Sequence, residues 1–172
     1  MIKKSFAVLD QTTLPLLYTS LVRPHLEYGN LVWGPFLREE ILNVEKVQKR
    51  ATKIVQGIKD LPYEDRLRHL KLPSLQHRRR RGDMIYAYKL FTGKIDLAKD
   101  DFFRSSAAMT RGHEHSVVRQ KATKLCRINS FSNRIVDDWN GLPAHVVSAT
   151  TTNNFKRELD EHWQREMYRT PF

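Results

Sequence analysis

The stretch QHRRRRGDMIYAYKLF, which runs from Gln76 to Phe91, joins four consecutive arginines to a run of apolar and aromatic residues. On a helical wheel its second half, Met84–Phe91, is apolar almost all round apart from Lys89, which is typical of a helix buried in a core. The arginines at 78–81 spread around the helix at roughly 100° per residue, so they cannot all face one surface. We therefore expect some of them to pair with acids or to cap neighbouring elements.

The residues on either side predict where this helix begins and ends. Ser74 can cap its first turn, and Gly93 ends it just after Thr92. The predicted helix contains the tripeptide Arg81-Gly82-Asp83, which argues against an adhesion motif because that use requires an exposed loop on a secreted protein. Nuclear localisation is another interpretation of the arginine run, but such runs are common false positives.

Helical spacing predominates before this stretch. A first helix is predicted by apolar residues at i, i+3, i+4 and i+7, namely Leu14, Leu17, Tyr18 and Leu21. Thr12 and Thr13 are candidate caps, and Arg23-Pro24 interrupts or restarts the helix. The segment GNLVWGP (29–35) then indicates a turn or loop that holds one large anchor, Trp33.

The clearest helix is predicted from Arg38 to Gln56, with Gly57 as its C-cap and Glu39 and Glu40 in its first turn. Apolar residues gather on one side of its wheel, namely Val44, Val47, Ala51, Ile54, Val55 and Ile58. Cations gather on the opposite side, namely Lys46, Lys49, Arg50 and Lys53. We expect the apolar side to face the core and the cations to face solvent.

The remaining segments predict shorter elements. A short helix follows Asp60 or Leu61 as its cap, with Pro62 in the first turn. Residues 94–116 look irregular, with short strand pieces near 102–103 and 117–118. Ser130 caps a short helix that ends at Gly141 and Pro143, and a final helix places three large apolar residues on one side, namely Phe155, Leu159 and Trp163.

These patterns predict a mainly α fold. We expect a small helical bundle over residues 1–93, an irregular connecting segment over 94–129, and a carboxy-terminal helical segment over 130–172. The less regular part would carry two short helices and can include a short β-hairpin.

Charge is concentrated in the middle of the chain. The 172 residues carry a net charge of +11, and residues 41–82 alone hold twelve Lys/Arg against four acids. Such a surplus favours polyanionic partners, with nucleic acid first and an acidic membrane surface second. The competing interpretation is a solvated helix face on a protein that happens to be basic. Clustering of the cations favours nucleic acid.

Catalytic and metal-binding patterns are weak. Asp137-Asp138 in IVDDW (135–139) superficially resembles the acid pair of a polymerase palm, but that pair needs a β-hairpin and a third aspartate, whereas these two lie in a helix-like stretch. Asp100-Asp101 lies in a polar loop. Both pairs are expected to be surface acids. There is no Gly-rich phosphate loop and no nucleophile elbow.

The histidines and the cysteine give no complete site. His113 and His115 could bind a metal only if two more ligands joined them. The chain has one cysteine, Cys126, which excludes an internal disulfide and a Cys-rich zinc module, and we expect it to be a small buried apolar residue. Arg111, in TRGHEH (110–115), is expected to make a salt bridge or a phosphate contact.

We expect no secretory signal peptide and no membrane span. MIKKSFAVLD at the amino terminus has no apolar h-region, and no apolar run approaches the length of a membrane span. We expect an intracellular soluble chain, cytoplasmic or nuclear, that has no membrane partner.

Four ordered segments carry a family resemblance. They are LYTSLVRPHLEYGNLVWGP (17–35), VEKVQKRATKIVQGIKDLPYEDRLRHLKLPSLQHRRRRGDMIYAYKLFTG (44–93), TRGHEHS (110–116) and NSFSNRIVDDWNGLPAHVVSATTTNNFKRELDEHW (129–163). In this order they resemble the carboxy-terminal part of the polyprotein of LINE-type (non-LTR) retrotransposons of the jockey-like group. The likeness covers roughly residues 2–163.

The resemblance implies a piece of a multidomain transposable-element protein with an endonuclease, then a reverse transcriptase, then this segment. Residues 1–93 would be a thumb-like region that grips primer–template or element RNA after the polymerase palm. The catalytic aspartates of the palm are absent here, so no family catalytic residue carries over. The chain alone is then expected to be no enzyme and to need no cofactor, with magnesium confined to the parent polymerase, an RNA-directed DNA polymerase.

The expected binding residues combine the charge pattern with the family's Arg-rich signature segments. They are Lys46, Lys49, Arg50, Lys53, Arg78, Arg79, Arg80, Arg81 and Arg111. Their partner would be an RNA or DNA duplex contacted at backbone phosphates, with no small-molecule substrate. The upstream palm would be a second partner if the chain belongs to a longer one.

Three alternatives stay open at this point. The chain could be a relic of a degenerate element copy with no selected activity. It could instead be a host-recruited module that binds nucleic acid or protein. A genuine small enzyme has the least support.

Overall fold

The computed structural model describes residues 9–105 and 113–170, and this part of the chain is mainly helical with one small antiparallel sheet. The predicted fold class is therefore confirmed. The chain divides into two units: the first holds the residues up to Arg79 and from Arg165 onward, and the second runs from Arg80 to Gln164. The division into domains at residues 93 and 129 stays a prediction.

The first unit is built from short helices and two longer ones. In chain order these are α1 (Thr13–Leu17), a π-helical turn (Tyr18–Val22), α2 (Arg23–Glu27), α3 (Asn30–Trp33), α4 (Arg38–Thr52) and α5 (Tyr63–Leu70). The long helix α6 (Leu75–Phe91) begins in this unit and continues in the second. Pro24 stands at the start of α2, so the predicted restart of the helix at Arg23-Pro24 is confirmed.

Asp10 caps the first helix. Its Oδ1 accepts hydrogen bonds from the backbone N–H groups of Thr12 (3.0 Å) and Thr13 (2.6 Å) and from the Thr12 hydroxyl (2.8 Å). These bonds favour the ionised carboxylate and hold the pKa of Asp10 well below its ordinary value. Thr12 stands at the N-cap position of α1 as predicted, but the capping acceptor is the Asp10 carboxylate, because the Thr12 side chain itself makes no capping bond to the helix.

The segment around Trp33, which was predicted to be a turn or loop, is a short helical turn. The Trp33 side chain is 46% exposed, and its Nε1 donates to the Tyr28 carbonyl at 2.5 Å. Gly29 has φ +65°, and a Cβ there would lie 2.9 Å from Trp33 Nε1, so only glycine fits. Trp33 therefore packs on its own segment instead of anchoring a core.

The helix α4 begins at Arg38 as predicted but ends at Thr52, with Lys53 as its C-cap residue. The predicted end at Gln56 and the predicted C-cap at Gly57 were wrong. The predicted apolar face is confirmed only in part, since Ala51 and Ile54 pack against the core whereas Val47 is 38% exposed. The buried residues of this helix are polar, namely Glu45, Gln48 and Thr52.

Those buried polar residues face partners that the wheel could not show. Gln48 Nε2 donates to the Pro73 carbonyl at 3.0 Å, and Thr52 Oγ1 accepts from Arg66 Nε at 3.0 Å. Buried polar groups are stable only when they are hydrogen-bonded, and these bonds turn the helix so that Glu45 lies inside. Val55 and Ile58, just after the helix, are buried as predicted.

The apolar core of the first unit lies among its helices. It consists of Leu9, Leu14, Tyr18, Val55, Ile58, Tyr63, Leu67, Leu70 and Leu72. Pro62 is the N-cap residue of α5, so the predicted cap at Asp60 or Leu61 was wrong. Ser74 caps α6 as predicted, because its Oγ accepts from the His77 N–H at 3.2 Å. Ser74 also donates its own N–H to the Met167 carbonyl at 3.1 Å.

The second unit contains the rest of α6, a two-stranded sheet and several short helices. After α6 come a 3-10 turn (Lys99–Asp101), β1 (Arg104–Ser105), β2 (Val117–Val118), α7 (Leu125–Ile128), α8 (Phe131–Arg134), α9 (Val136–Asn140), α10 (Ala144–Val147) and α11 (Thr152–His162). A last 3-10 turn covers Gln164–Glu166. The strands pair antiparallel, with Arg104 opposite Val118. Strand β1 lies two residues beyond the position predicted for it.

The apolar half of α6 forms the centre of this unit. Met84, Ala87, Tyr88 and Leu90 are buried, which confirms the predicted core helix. The Tyr88 ring stacks on Phe155 with centroids 4.3 Å apart. Phe155, Leu159 and Trp163 are all buried as predicted, and Thr151 caps their helix by accepting from the Asn154 N–H at 3.1 Å. Gly93, with φ +65°, follows α6 as predicted.

Three smaller predictions have clear outcomes. The RGD tripeptide lies inside α6 as predicted, and Asp83 is buried. The helix predicted after Ser130 is divided at Ile135 into α8 and α9. Cys126 is exposed, so its predicted burial was wrong.

In the described ranges, no helix has both the length and the apolar character that crossing a membrane requires.

Candidate nucleic-acid interface

Two members of the arginine run belong to the first unit. Arg78 pairs with Glu27 through two bonds, one from Nε to Oε1 and one from its second terminal nitrogen to Oε2 at 2.9 Å. Arg79 is buried, and its carbonyl accepts from Asn30 Nδ2 at 3.5 Å. The charge of Arg79 also acts on the buried Glu45 carboxylate, where it opposes the rise in pKa that burial causes.

The other two members belong to the second unit. Arg80 donates two hydrogen bonds to Asp138 at 2.9 and 2.7 Å, and its guanidinium lies 4.8 Å from the centre of the Trp163 ring. Arg81 donates two bonds to Asp160 at 2.5 and 2.8 Å. Paired bonds of this kind are the strongest that arginine makes with a carboxylate.

The arginine run therefore makes its contacts within the protein itself. Three of its guanidiniums make two-point contacts with acids, which confirms the expectation that some of them pair. Asp138, one of the two acids in IVDDW, serves one of these pairs, and Asp137 is exposed and pairs with Arg119. A phosphate could reach these arginines only in competition with a carboxylate that is already bound. Phosphate binding by the run stays a prediction.

The cations of α4 are placed differently. Lys46, Arg50 and Lys53 are exposed, and in the described ranges none of the three makes an ion pair. Lys46 Nζ donates to the neutral side chain of Asn43 at 2.9 Å. Lys49 is half-buried, with its Nζ 5.9 Å from the centre of the Tyr63 ring. The spacing i, i+3, i+4, i+7 puts all four on one side, along about 10 Å of helix.

This side belongs to a helix that is firmly held. Arg66 is buried and donates to Thr52 Oγ1 at 3.0 Å, to the Leu61 carbonyl at 2.7 Å and to the Lys49 carbonyl at 3.4 Å. The Lys49 carbonyl lies in the last turn of α4, where carbonyls lack a partner within the helix. Burial lowers the pKa of Arg66. The arginine therefore fixes the carboxyl end of α4 and stays behind the cationic side.

Glu45 holds the same helix in place from its buried side. Its Oε1 accepts from the Tyr63 hydroxyl at 2.7 Å and from the Leu75 N–H at 3.2 Å, so this carboxylate also caps the start of α6. Burial raises the pKa of Glu45 above its ordinary value of 4.5. Burial and the neighbouring Glu45 charge also raise the pKa of Tyr63 far above its ordinary value.

The remaining candidate positions form no metal site in the described ranges. There, no group of three or more His, Cys, Asp or Glu side chains could hold a metal ion. His113 is buried with its Nε2 2.9 Å from the Trp139 carbonyl, and the His115 ring stacks on Phe91 at 5.8 Å. Arg111 lies outside the described residues.

The sequence reasoning missed a second basic segment. No acid occurs between Glu114 and Asp137, and this interval carries five cations, namely Arg119, Lys121, Lys124, Arg127 and Arg134. The first four are exposed in the structure. A scan for acid-free intervals, rather than for dense arginine, would have found it.

Comparison with known proteins adds no assignment. No protein-family model, curated protein or solved structure matches the chain.

Proposed function

We propose that this chain binds RNA or DNA duplexes through backbone phosphates, as the thumb-like carboxy-terminal segment of a LINE-type retrotransposon reverse transcriptase. The observation that carries the proposal is the cationic side of α4. There Lys46, Arg50 and Lys53 are exposed, make no ion pair in the described part of the chain, and lie beside the half-buried Lys49.

The mechanism is electrostatic. A duplex carries one negative charge per about 1.7 Å of its axis and is surrounded by condensed counterions. Cations that approach the phosphates release those counterions, so affinity falls as salt rises. Contacts with phosphate carry no sequence information, and the proposed binding is therefore largely independent of sequence. The hydrogen bonds of Arg66 and Glu45 keep the helix rigid, which lowers the ordering cost of contact.

The proposed role includes no chemistry by this chain alone. The carboxylates of a polymerase site would lie in an upstream palm, which is also the proposed protein partner, and magnesium would act there. The proposed location is intracellular, where element RNA and target DNA are found. Extension of a primed RNA template by the purified chain with magnesium would contradict this part of the proposal.

The decisive test measures duplex binding across a salt series, starting near 50 mM, with a blunt RNA duplex and a blunt DNA duplex. The wild type should bind with a linear fall of log affinity against log salt. The slope should become shallower by about 2 to 3 in a variant that neutralises three contacts. That variant is Lys46→Gln/Arg50→Gln/Lys53→Gln.

A matched control removes the same charge elsewhere. It also replaces two lysines and one arginine by glutamine, at Lys99, Arg104 and Lys156. These positions belong to the second unit and make no ion pair in the part of the chain described. The control should keep the wild-type slope. Absence of salt-sensitive binding by the wild type, or equal losses in both variants, would remove the proposal.

A protein-interaction role is the second candidate, and a different observation favours it. Seven large apolar side chains within residues 16–37 are exposed, among them Tyr28 at 82% and Val32 at 91%. Exposed apolar groups of this density mark contact surfaces. The double variant Tyr28→Ser/Val32→Ser should reduce binding of an apolar dye and leave duplex affinity unchanged. A fall in duplex affinity would assign these residues to the nucleic-acid surface instead.

A further inference from the structure

The second unit contains a cavity of about 340 Å³ in the basic segment between Glu114 and Asp137. Its lining residues are Arg119, Gln120, Lys121, Ala122, Ile128 and Asn133. The volume falls at the lower end of the range for small-molecule sites, about 300 to 1,000 Å³. It suits a ligand the size of a single nucleotide better than a larger one.

The walls of this cavity are held in place by hydrogen bonds. The Gln120 N–H donates to Asn133 Oδ1 at 2.9 Å, and Gln120 Nε2 donates to the Phe102 carbonyl at 3.0 Å. Arg127 donates to Gln120 Oε1 at 2.6 Å, and Asn133 Nδ2 donates to the Arg127 carbonyl at 2.9 Å. Both side-chain amides are thus engaged within the protein, which preforms the cavity.

The surface of the cavity is mainly apolar, and two of the six residues that line it, Arg119 and Lys121, carry a positive charge. Lys121 is exposed and makes no ion pair in the described ranges. Arg119 bonds Asp137 at 2.6 Å, but that carboxylate is 81% exposed, so solvent weakens the pair. Ala122 and Ile128 add apolar surface, and Ile128 is 38% exposed. Cations beside a small apolar surface match a phosphate attached to a flat base.

We propose that this cavity binds one unpaired nucleotide, with its phosphate on Lys121 and Arg119 and its base against Ala122 and Ile128. Because the amides of Gln120 and Asn133 already bond to the protein, they offer little readout of the base edge, and the site takes any base. A base in a duplex is stacked and paired, so the site selects a strand end, an overhang or a free nucleotide. The inference extends the proposed function but does not depend on α4.

The first experiment is a titration of the full-length, nitrogen-15-labelled chain with adenosine 5′-monophosphate, followed by NMR. Amide signals of the lining residues should shift together and saturate. Inorganic phosphate, titrated in parallel, should bind at least about tenfold more weakly because it lacks the base. Shifts located elsewhere, or equal affinity for phosphate alone, would overturn the proposal.

The second experiment compares an overhang duplex with a blunt duplex of the same length. The wild type should prefer the overhang. Lys121→Gln should weaken overhang and nucleotide binding about tenfold, while blunt-duplex affinity changes far less. The matched control is Lys124→Gln, an exposed lysine that does not line the cavity. Equal losses in the two variants would mean diffuse charge attraction and would overturn the proposal.

A third variant separates shape from charge. Ala122→Trp should fill the cavity and abolish both the overhang preference and nucleotide binding, with the net charge unchanged. Circular dichroism checks that this variant folds. If it does not fold, the proposal is tested by the comparison of Lys121→Gln with Lys124→Gln and by the NMR titration. Binding to phosphatidylserine vesicles that these variants abolish, without nucleotide binding by the wild type, would assign the cavity to a lipid headgroup instead.

The outcomes separate this inference from the proposed function. The triple variant of α4 should lose blunt-duplex binding and still bind adenosine 5′-monophosphate. Nucleotide binding without any salt-sensitive duplex binding would reject the proposed function and keep the cavity site. Salt-sensitive duplex binding without nucleotide binding would reject the cavity site and keep the proposed function.

Discussion

The arginine run at 78–81 and the cationic side of α4 are both dense in positive charge, yet the structure uses them differently. In the run, Arg78, Arg80 and Arg81 each make two bonds to one carboxylate. On α4, Lys46, Arg50 and Lys53 extend into solvent, and no carboxylate pairs with them in the described ranges. Density of charge in a sequence is therefore a poor guide to its availability.

The difference has a physical basis in the two side chains and their positions. A planar guanidinium matches a carboxylate at two points and loses less freedom on pairing than a lysine ammonium does. Arginines that sweep around a helix meet acids from several neighbouring elements. Cations spaced at i, i+3, i+4 and i+7 share one side of a helix, and on α4 three of them, Lys46, Arg50 and Lys53, are exposed there.

The largest loss of stability is expected from a change at Asp83, a buried residue of α6 that pairs with Arg134. Arg134 donates two bonds to it at 2.8 and 2.9 Å, and the Asp83 side chain is 7% exposed. Asp83→Asn should lower the free energy of unfolding by about 3 kcal/mol, because it leaves a half-buried guanidinium without its counter-charge. Urea denaturation measures this. Asp137→Asn, in an exposed pair, is the control and should cost less than about 1 kcal/mol.

Arg80 gives the next effect, and it tests the arginine run directly. Arg80→Gln loses both bonds to Asp138 and the contact with the Trp163 ring, so the free energy of unfolding should fall by about 1 to 2 kcal/mol. The salt slope of duplex binding should stay at its wild-type value. A shallower slope by about 1, with stability unchanged, would show that Arg80 contacts phosphate rather than Asp138.

A smaller effect depends on pH and concerns Glu45. Because burial raises the pKa of Glu45 above 4.5, the folded state holds a proton that the unfolded state releases. Its contribution is therefore fully present below pH 4.5 and is lost as pH rises through the folded pKa. Glu45→Gln keeps an oxygen acceptor for Tyr63 and Leu75 and cannot ionise.

The stability of this variant relative to wild type should improve as the pH rises from about 4.5 through the folded pKa of Glu45, and should level off above that pKa. Urea midpoints measured from pH 4 to pH 8 check the trend. A constant difference over that range would mean that Glu45 keeps an ordinary pKa in the folded protein.

The smallest effect on stability is expected at Lys53, on the available side of the contrast. Lys53→Gln should change the free energy of unfolding by less than about 0.5 kcal/mol, since the side chain is exposed and makes no ion pair in the described ranges. The slope of log affinity against log salt should nevertheless become shallower by about 0.9. A stability loss comparable with that of Arg80→Gln would remove the contrast.

The periodicity of the sequence correctly predicted the helices whose buried side chains are apolar. Met84–Phe91 and the series Phe155, Leu159 and Trp163 are surrounded by other apolar groups, so hydrophobic spacing alone locates them. The mainly α class and the caps at Ser74 and Gly93 follow from equally local signals. Local signals cannot, however, indicate which distant residue completes a contact.

The errors arise where polar partners decide. On α4 the wheel turned Val47 inward, but hydrogen bonds with Tyr63, Pro73 and Arg66 hold Glu45, Gln48 and Thr52 inside, roughly a quarter-turn away. Those partners lie far along the chain, and no local pattern announces them. The same reason hid the acids of the arginine run, whereas Asp10 bonds Thr12 and Thr13, which are only two and three residues away.

The exposed thiol of Cys126 has a practical consequence for every binding measurement. It is the one cysteine of the chain and lies in the turn Leu125–Ile128, whose last residue lines the cavity. In oxidising solution two copies can join through it, and a bivalent dimer on one duplex gains apparent affinity by about 10² to 10⁴ without any new contact. With reductant the chain acts as a monovalent ligand. The same thiol then offers a single attachment point for a fluorophore that reports on occupancy of the neighbouring cavity.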